Sequence, residues 1–291
     1  MKKTYALQAM SLDFTSQIHR HSADKTVTYK TVGGEDILLG YFYPTPFPAE
    51  ANPAIILVHG GGWASHKIFP DQNGLWQGDY LGYLARYYAD HGYVCACIDY
   101  RLSREEGQCA NYQLIDCYED CVDAMDYILT HASENCMDAD NMYLLGESAG
   151  GHLAGMLACL YRHSSFHFRS AFLVNPVLDL AECPVWSKWV PQITEHPMLK
   201  SMPVQQRAEY LSPVYQAHGQ MCPVVLIHGN SDSTVGLYHS ENMYQKLQEL
   251  GIACHLHVIE DTSHAFLLAE YTKNSHANQI GVSILNSYLL T

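Results

Sequence analysis

Apolar positions along this chain repeat in two ways. Residues 26–31 (TVTYKT) and 36–43 (DILLGYFY) alternate apolar with polar and flank VGGE, which predicts a β-hairpin. Farther on, AIILVHG (54–60), YVCACIDY (93–100), MYLLGES (142–148), SAFLVNP (170–176), PVVLIHG (223–229) and CHLHVIE (254–260) are short apolar runs without clean alternation. Parallel strands covered on both faces read this way. Helical spacing fills the intervals at 80–92, 114–132, 149–163, 241–251 and 277–290. Strands alternating with helices predict an α/β fold, a mostly parallel central sheet with helices on both faces, in a single domain over residues 1–291. Residues 177–222 break the rhythm with five prolines and two tryptophans, and predict a packed lid or pocket-rim insertion. The irregular stretch 64–80 is expected to join the same rim.

Composition narrows the function classes. The chain is 48% hydrophobic with a formal charge of −14, so it suits a folded protein and repels phosphate backbones and anionic membranes. Neither nucleic acid nor a membrane is expected as a partner, and a homodimer is left open. The ten cysteines contain no CxxC pair, and no metal or organic cofactor is expected. Unpaired cysteines in that number, with no apolar leader segment and no run long enough to span a membrane, point to the cytoplasm.

Candidate chemistry gathers at strand ends. GESAG (146–150) follows an apolar run and opens a small-residue helix, the setting of a nucleophile elbow with Ser148 at its tip. A serine hydroxyl needs a base, and the base needs an orienting acid, expected in the order serine, acid, histidine. Of the 17 histidines, His264 in EDTSHAF is preferred because it follows the last predicted strand. His152 reads as packing, His255 and His257 lie inside a strand, and His228 precedes the preferred acid. That acid is Asp232 in HGNSDSTVG, with Asp179 in NPVLDL as its rival. HGGGW (59–63) follows the first parallel strand, and its glycines let backbone N–H groups converge. Gly61 and Gly62, with Ala149 after the serine, form the expected oxyanion hole. Trp63, Trp186 and Trp189 are expected to bind substrate, with Trp76 also on the rim, because aromatic faces suit sugar rings.

With these motifs in order, the chain resembles the α/β-hydrolase superfamily. Within it the likeness is to carboxylesterases of the hormone-sensitive-lipase-like and feruloyl/acetyl-xylan-esterase-like group. HGGGW, DYRLS, GESAGGHLA, NPVLDL, HGNSDSTV and SHAF carry the likeness, which runs from about residue 26 to 290. It implies Ser148 as nucleophile, Asp232 and His264 as its relay, the glycine loop as oxyanion hole, and no cofactor. The expected activity is hydrolysis of short acyl esters, with acetyl esters of sugars or oligosaccharides as the favoured substrates. A feruloyl esterase, an amidase of the kynurenine-formamidase type and a catalytically dead binding protein are the alternatives. The chain departs from the group after YRL, where it reads SREEGQCANYQLID, and at Gly236, where proline is common.

Overall fold

The apolar run at 54–58 does not alternate because the strand it forms has no solvent face. Ala54, Ile56 and Val58 enter one core, and Ile55 and Leu57 enter the core on the opposite side. The computed structural model describes residues 1–5, 23–64, 80–105, 108–109, 111–161, 166–184, 187–264, 266–267 and 276–290. The chain runs through β1 (Lys2–Tyr5), β2 (Lys25–Val32), β3 (Glu35–Phe42), β4 (Asn52–Val58), α1 (Tyr80–Ala89) and β5 (Val94–Ile98). A small hairpin of β6 (Arg104–Glu105) and β7 (Gln108–Cys109) precedes α2 (Leu114–Thr130), β8 (Met137–Glu147), α3 (Ala149–Leu160) and β9 (Ser170–Val174). Three short helices follow, α4 (Val190–Ile193), α5 (Val204–Tyr210) and α6 (Pro213–Gln216). The chain then forms β10 (Val224–Gly229), α7 (Tyr238–Glu249), β11 (Cys254–Ile259) and α8 (His276–Leu289).

Nine strands form one sheet in the order β1-β11-β10-β9-β8-β4-β5-β3-β2. Only the β2–β3 and β3–β5 pairings are antiparallel. Gly33 and Gly34 both take positive φ, 62° and 90°, which lets a two-residue turn close β2 on β3. Helices α1 and α8 cover one face, burying Leu81, Leu84, Ile280 and Leu285. Helices α2, α3 and α7 cover the other, burying Leu114, Leu153, Met243 and Leu247. The chain leaves β4 toward β5 and then crosses back to β8 on β4's other side. Such a reversal opens a crevice at the carboxyl ends of the two strands, and an α/β sheet places its ligands there.

One difference from the sequence reading stands out. Residues 1–5 were assigned no element, yet β1 adds a parallel edge to β11, and the Met1 amino group donates to the Cys254 carbonyl at 2.7 Å. A four-residue strand whose residues are mostly exposed leaves no apolar period to detect. The insertion at 177–222 is helical and packed, with Val190, Ile193, Leu199, Ala208 and Leu211 buried. Residues 65–79, most of the second irregular stretch, lie outside the described residues. Among the described residues no helix is long and apolar enough to cross a membrane.

An ion cluster fixes the segment after β5. The Asp120 side chain on α2 has no solvent exposure. It accepts from the Arg101 backbone N–H at 2.9 Å, from the Arg101 guanidinium at 2.7 Å and from Lys30 at 2.7 Å. Breaking a buried pair on one side leaves its partners charged and unpaired. Asp120→Ala is therefore expected to lower the unfolding free energy by about 3 kcal/mol or more. Asp123, half exposed and bonded to the same Lys30, should cost less than about 1 kcal/mol when changed to Ala. Urea titration of the two variants checks the contrast.

Candidate active site

Ser148 sits on a strained turn between β8 and α3. Its backbone takes φ 56° and ψ −118°, a conformation costing an L-residue on the order of 1–3 kcal/mol. The surrounding packing holds it there. Its N–H donates to the Val174 carbonyl at 2.9 Å, and its carbonyl accepts from His152 N–H at 3.0 Å. A Cβ on Gly150 would lie 2.0 Å from the Val58 carbonyl oxygen, and one on Gly146 would lie 2.3 Å from the Gly150 oxygen. Only glycine permits that approach of strand to helix.

The described structure brings Ser148, His264 and Asp232 together. Ser148 Oγ donates to His264 Nε2 at 2.9 Å, and His264 Nδ1 donates to Asp232 Oδ2 at 2.6 Å. These residues come from the ends of β8, β11 and β10, and the last two loops are laced together. Ser231 N–H donates to the Thr262 carbonyl at 3.0 Å, and Asp261 N–H to the Asn230 side chain at 2.7 Å. A Cβ on Gly229 would meet the Thr262 oxygen at 2.2 Å, so that crossing also needs glycine.

Asp232 is buried, which on its own would favour the neutral acid. Hydrogen bonds from His228 and His264, and from backbone N–H groups, outweigh burial and hold its pKa well below the usual carboxylate range. Oδ1 accepts from Thr234 N–H at 2.9 Å and Val235 N–H at 2.8 Å. The rival Asp179 is occupied elsewhere. Its Oδ1 accepts from the N–H groups of Ala181 and Glu182, and burial raises its pKa.

The glycine loop lies against the elbow. A Cβ on Gly60 would sit 2.9 Å from the Glu147 oxygen and 3.5 Å from Ser148 Cβ. Gly61 and Gly62 take φ 107° and 63°, and Ala64 N–H closes a turn on the Gly61 carbonyl at 3.1 Å. Ala149 begins α3, so its N–H has no acceptor within the helix. Behind the loop, His59 stacks on Tyr100 at 4.1 Å between ring centres, and Tyr100 Oη donates to the His59 carbonyl at 2.8 Å. Sequence reading passed over this support, although His59 and Tyr100 stand inside the two motifs HGGGW and DYRLS.

The tryptophan expectations fare differently. Trp63 is not a rim residue. It is fully buried with φ 54°, edge-on to His152 at 5.3 Å, because the left-handed turn that follows the glycines carries the indole inward. A ring with no exposed face offers no platform to a sugar. Trp189 is half-buried at the start of α4, with the Lys188 amine 5.1 Å from its ring centre. Trp76 and Trp186 lie outside the described residues. A cavity of about 490 Å³ in the insertion is lined by Leu180, Cys183, Val190, Pro191 and Val204 among others, and by no residue of the Ser148–His264–Asp232 run.

Other histidines of the sheet and its helices are buried. His152 Nε2 donates to the Leu211 carbonyl at 2.6 Å, and His239 Nδ1 accepts from Asp179 N–H at 3.1 Å. Burial lowers their pKa values, to about 4 for His152 and about 3 for His239. His257, held between the hydroxyls of Tyr5 and Tyr288, is likewise lowered to about 4, chiefly by burial.

Comparison with known proteins bears on the family and the fold. The BD-FAE family model matches residues 42–247. The esterase LipQ of Mycobacterium tuberculosis is 23% identical over 265 residues, covering 86% of this chain; the chain spans 59% of LipQ's own length. The kynurenine formamidase of Salmo salar is 25% identical over 238 residues, 79% of this chain and 71% of that protein. Among solved structures, butyrate-bound Est2, an esterase of Thermogutta terrifontis, matches with a TM-score of 0.71 and 25% identity over 91% of this chain and 93% of that one. The sheet and its flanking helices are those of the α/β-hydrolase fold.

These buried histidines predict acid sensitivity. His152, His239 and His257 remain neutral in the folded protein at pH values where the unfolded chain, titrating near 6.5, takes up protons. The unfolded state then binds more protons, so stability is full above pH 6.5 and falls as pH drops from there toward 4. Each such histidine should remove about 1.4 kcal/mol per pH unit. Denaturant titrations between pH 7 and 4.5 should show this slope, and His152→Gln should reduce it by one proton's worth. An unchanged slope in that variant would mean that His152 titrates normally.

Proposed function

The chain belongs to the BD-FAE family, and from that premise we propose that it is a serine esterase acting on short-chain acyl esters. One observation carries this reading: the hydrogen-bonded run from Ser148 through His264 to a buried, ionised Asp232. On this reading Ser148 Oγ attacks the ester carbonyl while its proton passes to His264 Nε2. Asp232 keeps the Nδ1 proton in place and stabilises the imidazolium. The N–H groups of Gly61, Gly62 and Ala149 face the tetrahedral oxyanion. Its collapse breaks the bond to the alcohol oxygen, which takes the proton from His264 and departs. Water, deprotonated by His264, then attacks the acyl-serine and releases the acid.

The butyrate bound by Est2 supports a short acyl group on this shared fold. For the alcohol half we propose a sugar or oligosaccharide carrying acetyl groups. With Trp63 buried, Trp189 is the described indole left to serve as a platform. The salmon kynurenine formamidase favours a second reading, hydrolysis of an N-formyl amide by the same serine. Buried free cysteines, with desolvation raising the thiol pKa of Cys95 and Cys117, fit a reducing cytoplasm.

Hydrolysis of p-nitrophenyl acetate, butyrate and octanoate, acetylated xylo-oligosaccharides and N-formylkynurenine separates these substrates. Acetate or butyrate should exceed octanoate in kcat/KM by at least about 10-fold, the range that a fitted pocket gives for small changes in an apolar group. Octanoate as the best ester would overturn the short-acyl reading. Ser148→Ala should lower kcat by about 10⁴-fold, and Asp232→Asn should be severe where Asp179→Asn is mild. A Ser148→Ala protein retaining more than about a tenth of the activity would remove the serine mechanism altogether.

A further inference from the structure

Asp232 meets two imidazoles, and the mechanism above uses one of them. His228, fully buried at the end of β10, places Nε2 3.4 Å from Asp232 Oδ2, the oxygen that also accepts from His264. The same Nε2 lies 2.9 Å from the Val235 carbonyl, which can only accept, so Nε2 carries a proton bonded to that carbonyl, with the carboxylate oxygen a longer contact beside it. Nδ1 lies 2.8 Å from Ser240 Oγ on α7 and accepts the serine proton when the ring is neutral. The ring is thus held at both nitrogens beside the acid.

We propose that His228 is a second positioning residue on the acid: it pins the 232–235 turn and draws charge from the oxygen that His264 uses. The inference rests on the esterase reading for its kinetic consequences, though the contact exists without it. A strand-end histidine four residues before the acid is visible in HGNSD, but its role needs the turn that folds Val235 back onto it. Other titratable groups around the pair stay out of the titration. His239 on α7 faces His228 and Asp232, and His152 on α3 lies behind it; both remain neutral in the folded protein above about pH 4.

Removing the His228 donor leaves Asp232 a stronger base toward His264. The imidazolium of His264 is then held to higher pH, and hydrolysis, which needs the neutral ring, loses its acid limb at higher pH. The freed turn also loosens the acid's orientation. His228→Leu is therefore expected to lower kcat for p-nitrophenyl acetate about 3- to 10-fold, the scale of one neutral hydrogen bond such as that to the Val235 carbonyl, with KM little changed. The acid limb of kcat/KM should move upward in pH. His228→Gln, whose amide nitrogen reaches close to the place of Nε2, should restore both.

Proton NMR of the Nδ1–H resonance of His264, recorded on all three proteins, reads the same contact without turnover. That resonance should shift in His228→Leu and return in His228→Gln. Ser240→Ala should move the limb and the resonance in the same direction by less, and it carries the test if the leucine protein does not fold. An unmoved limb and an unmoved resonance, in whichever of these variants fold, would show that His228 only packs. If wild type hydrolyses no ester in the panel, the esterase reading fails by itself, and the resonance still decides for or against His228.

Discussion

The whole site hangs on the closeness of three backbones. Where β4 ends, where β8 turns and where α3 begins, carbonyl oxygens of Val58 and His59 press on Gly150 with no room for a Cβ. That contact places the glycine loop beside Ser148 and forces the serine into a left-handed backbone. The strain is on the order of a few kcal/mol, small beside the apolar burial around it. Helix α3 is buried along nearly all its length, and β4 and β8 are central strands paired on both edges. A turn in such surroundings cannot relax without separating the strand from the helix. The chain therefore holds the serine hydroxyl at the sheet's reversal point as a consequence of packing.

The acid obeys a different constraint. A buried carboxylate is costly unless its oxygens are bonded, and here all the donors described to Asp232 are N–H groups of the polypeptide or of imidazoles. Near it the fold uses neutral histidines as ordinary hydrogen-bonding groups, so the negative charge faces dipoles and not a second full charge. Within such a setting a positive charge on His264 would meet an acid already ionised, with little reorganisation. Ionisation of Asp232 and neutrality of His152 and His239 follow from the same burial: bonds favour the charged form at one group, and desolvation prevails at the others.

Much of this was legible in the residues, and the exceptions have physical causes. The strands at 54–58, 94–98, 224–229 and 254–259 could be read because being covered on both faces writes an unbroken apolar run. Ser148, Asp232 and His264 could be proposed because the fold puts its reactive groups where strands end. Choosing Asp232 over Asp179 rested on its place after the strand just before that of His264; the structure adds that the Asp179 carboxylate is taken by its own turn. Trp63 misled because an indole after glycines reads as a rim residue. Its burial depends on a left-handed φ, and no local pattern encodes which way that turn faces. β1 was missed for the opposite reason: its place at the sheet edge is set by pairing with β11, more than 250 residues away.

The division between a fixed centre and a variable rim follows from how each part is held. Ser148, its glycine loop and the Asp232–His264 loops are tied by backbone contacts that admit only glycine at Gly146, Gly150 and Gly229. Substitutions there are paid in folding before they alter chemistry. The insertion at 177–222 is held differently, by side chains such as Ile193 on α4, Leu199 on the turn that follows and Leu211 at the end of α5, along short helices that begin at prolines or end within two turns. Apolar contacts of that kind tolerate exchange if volume is kept. Several bonds join the two regimes, among them that of His152, one turn beyond Ser148 on α3, which donates to the Leu211 carbonyl just after α5. Through such bonds the insertion is seated on the helix that follows Ser148, so its side chains can vary while that helix stays where the sheet has placed it.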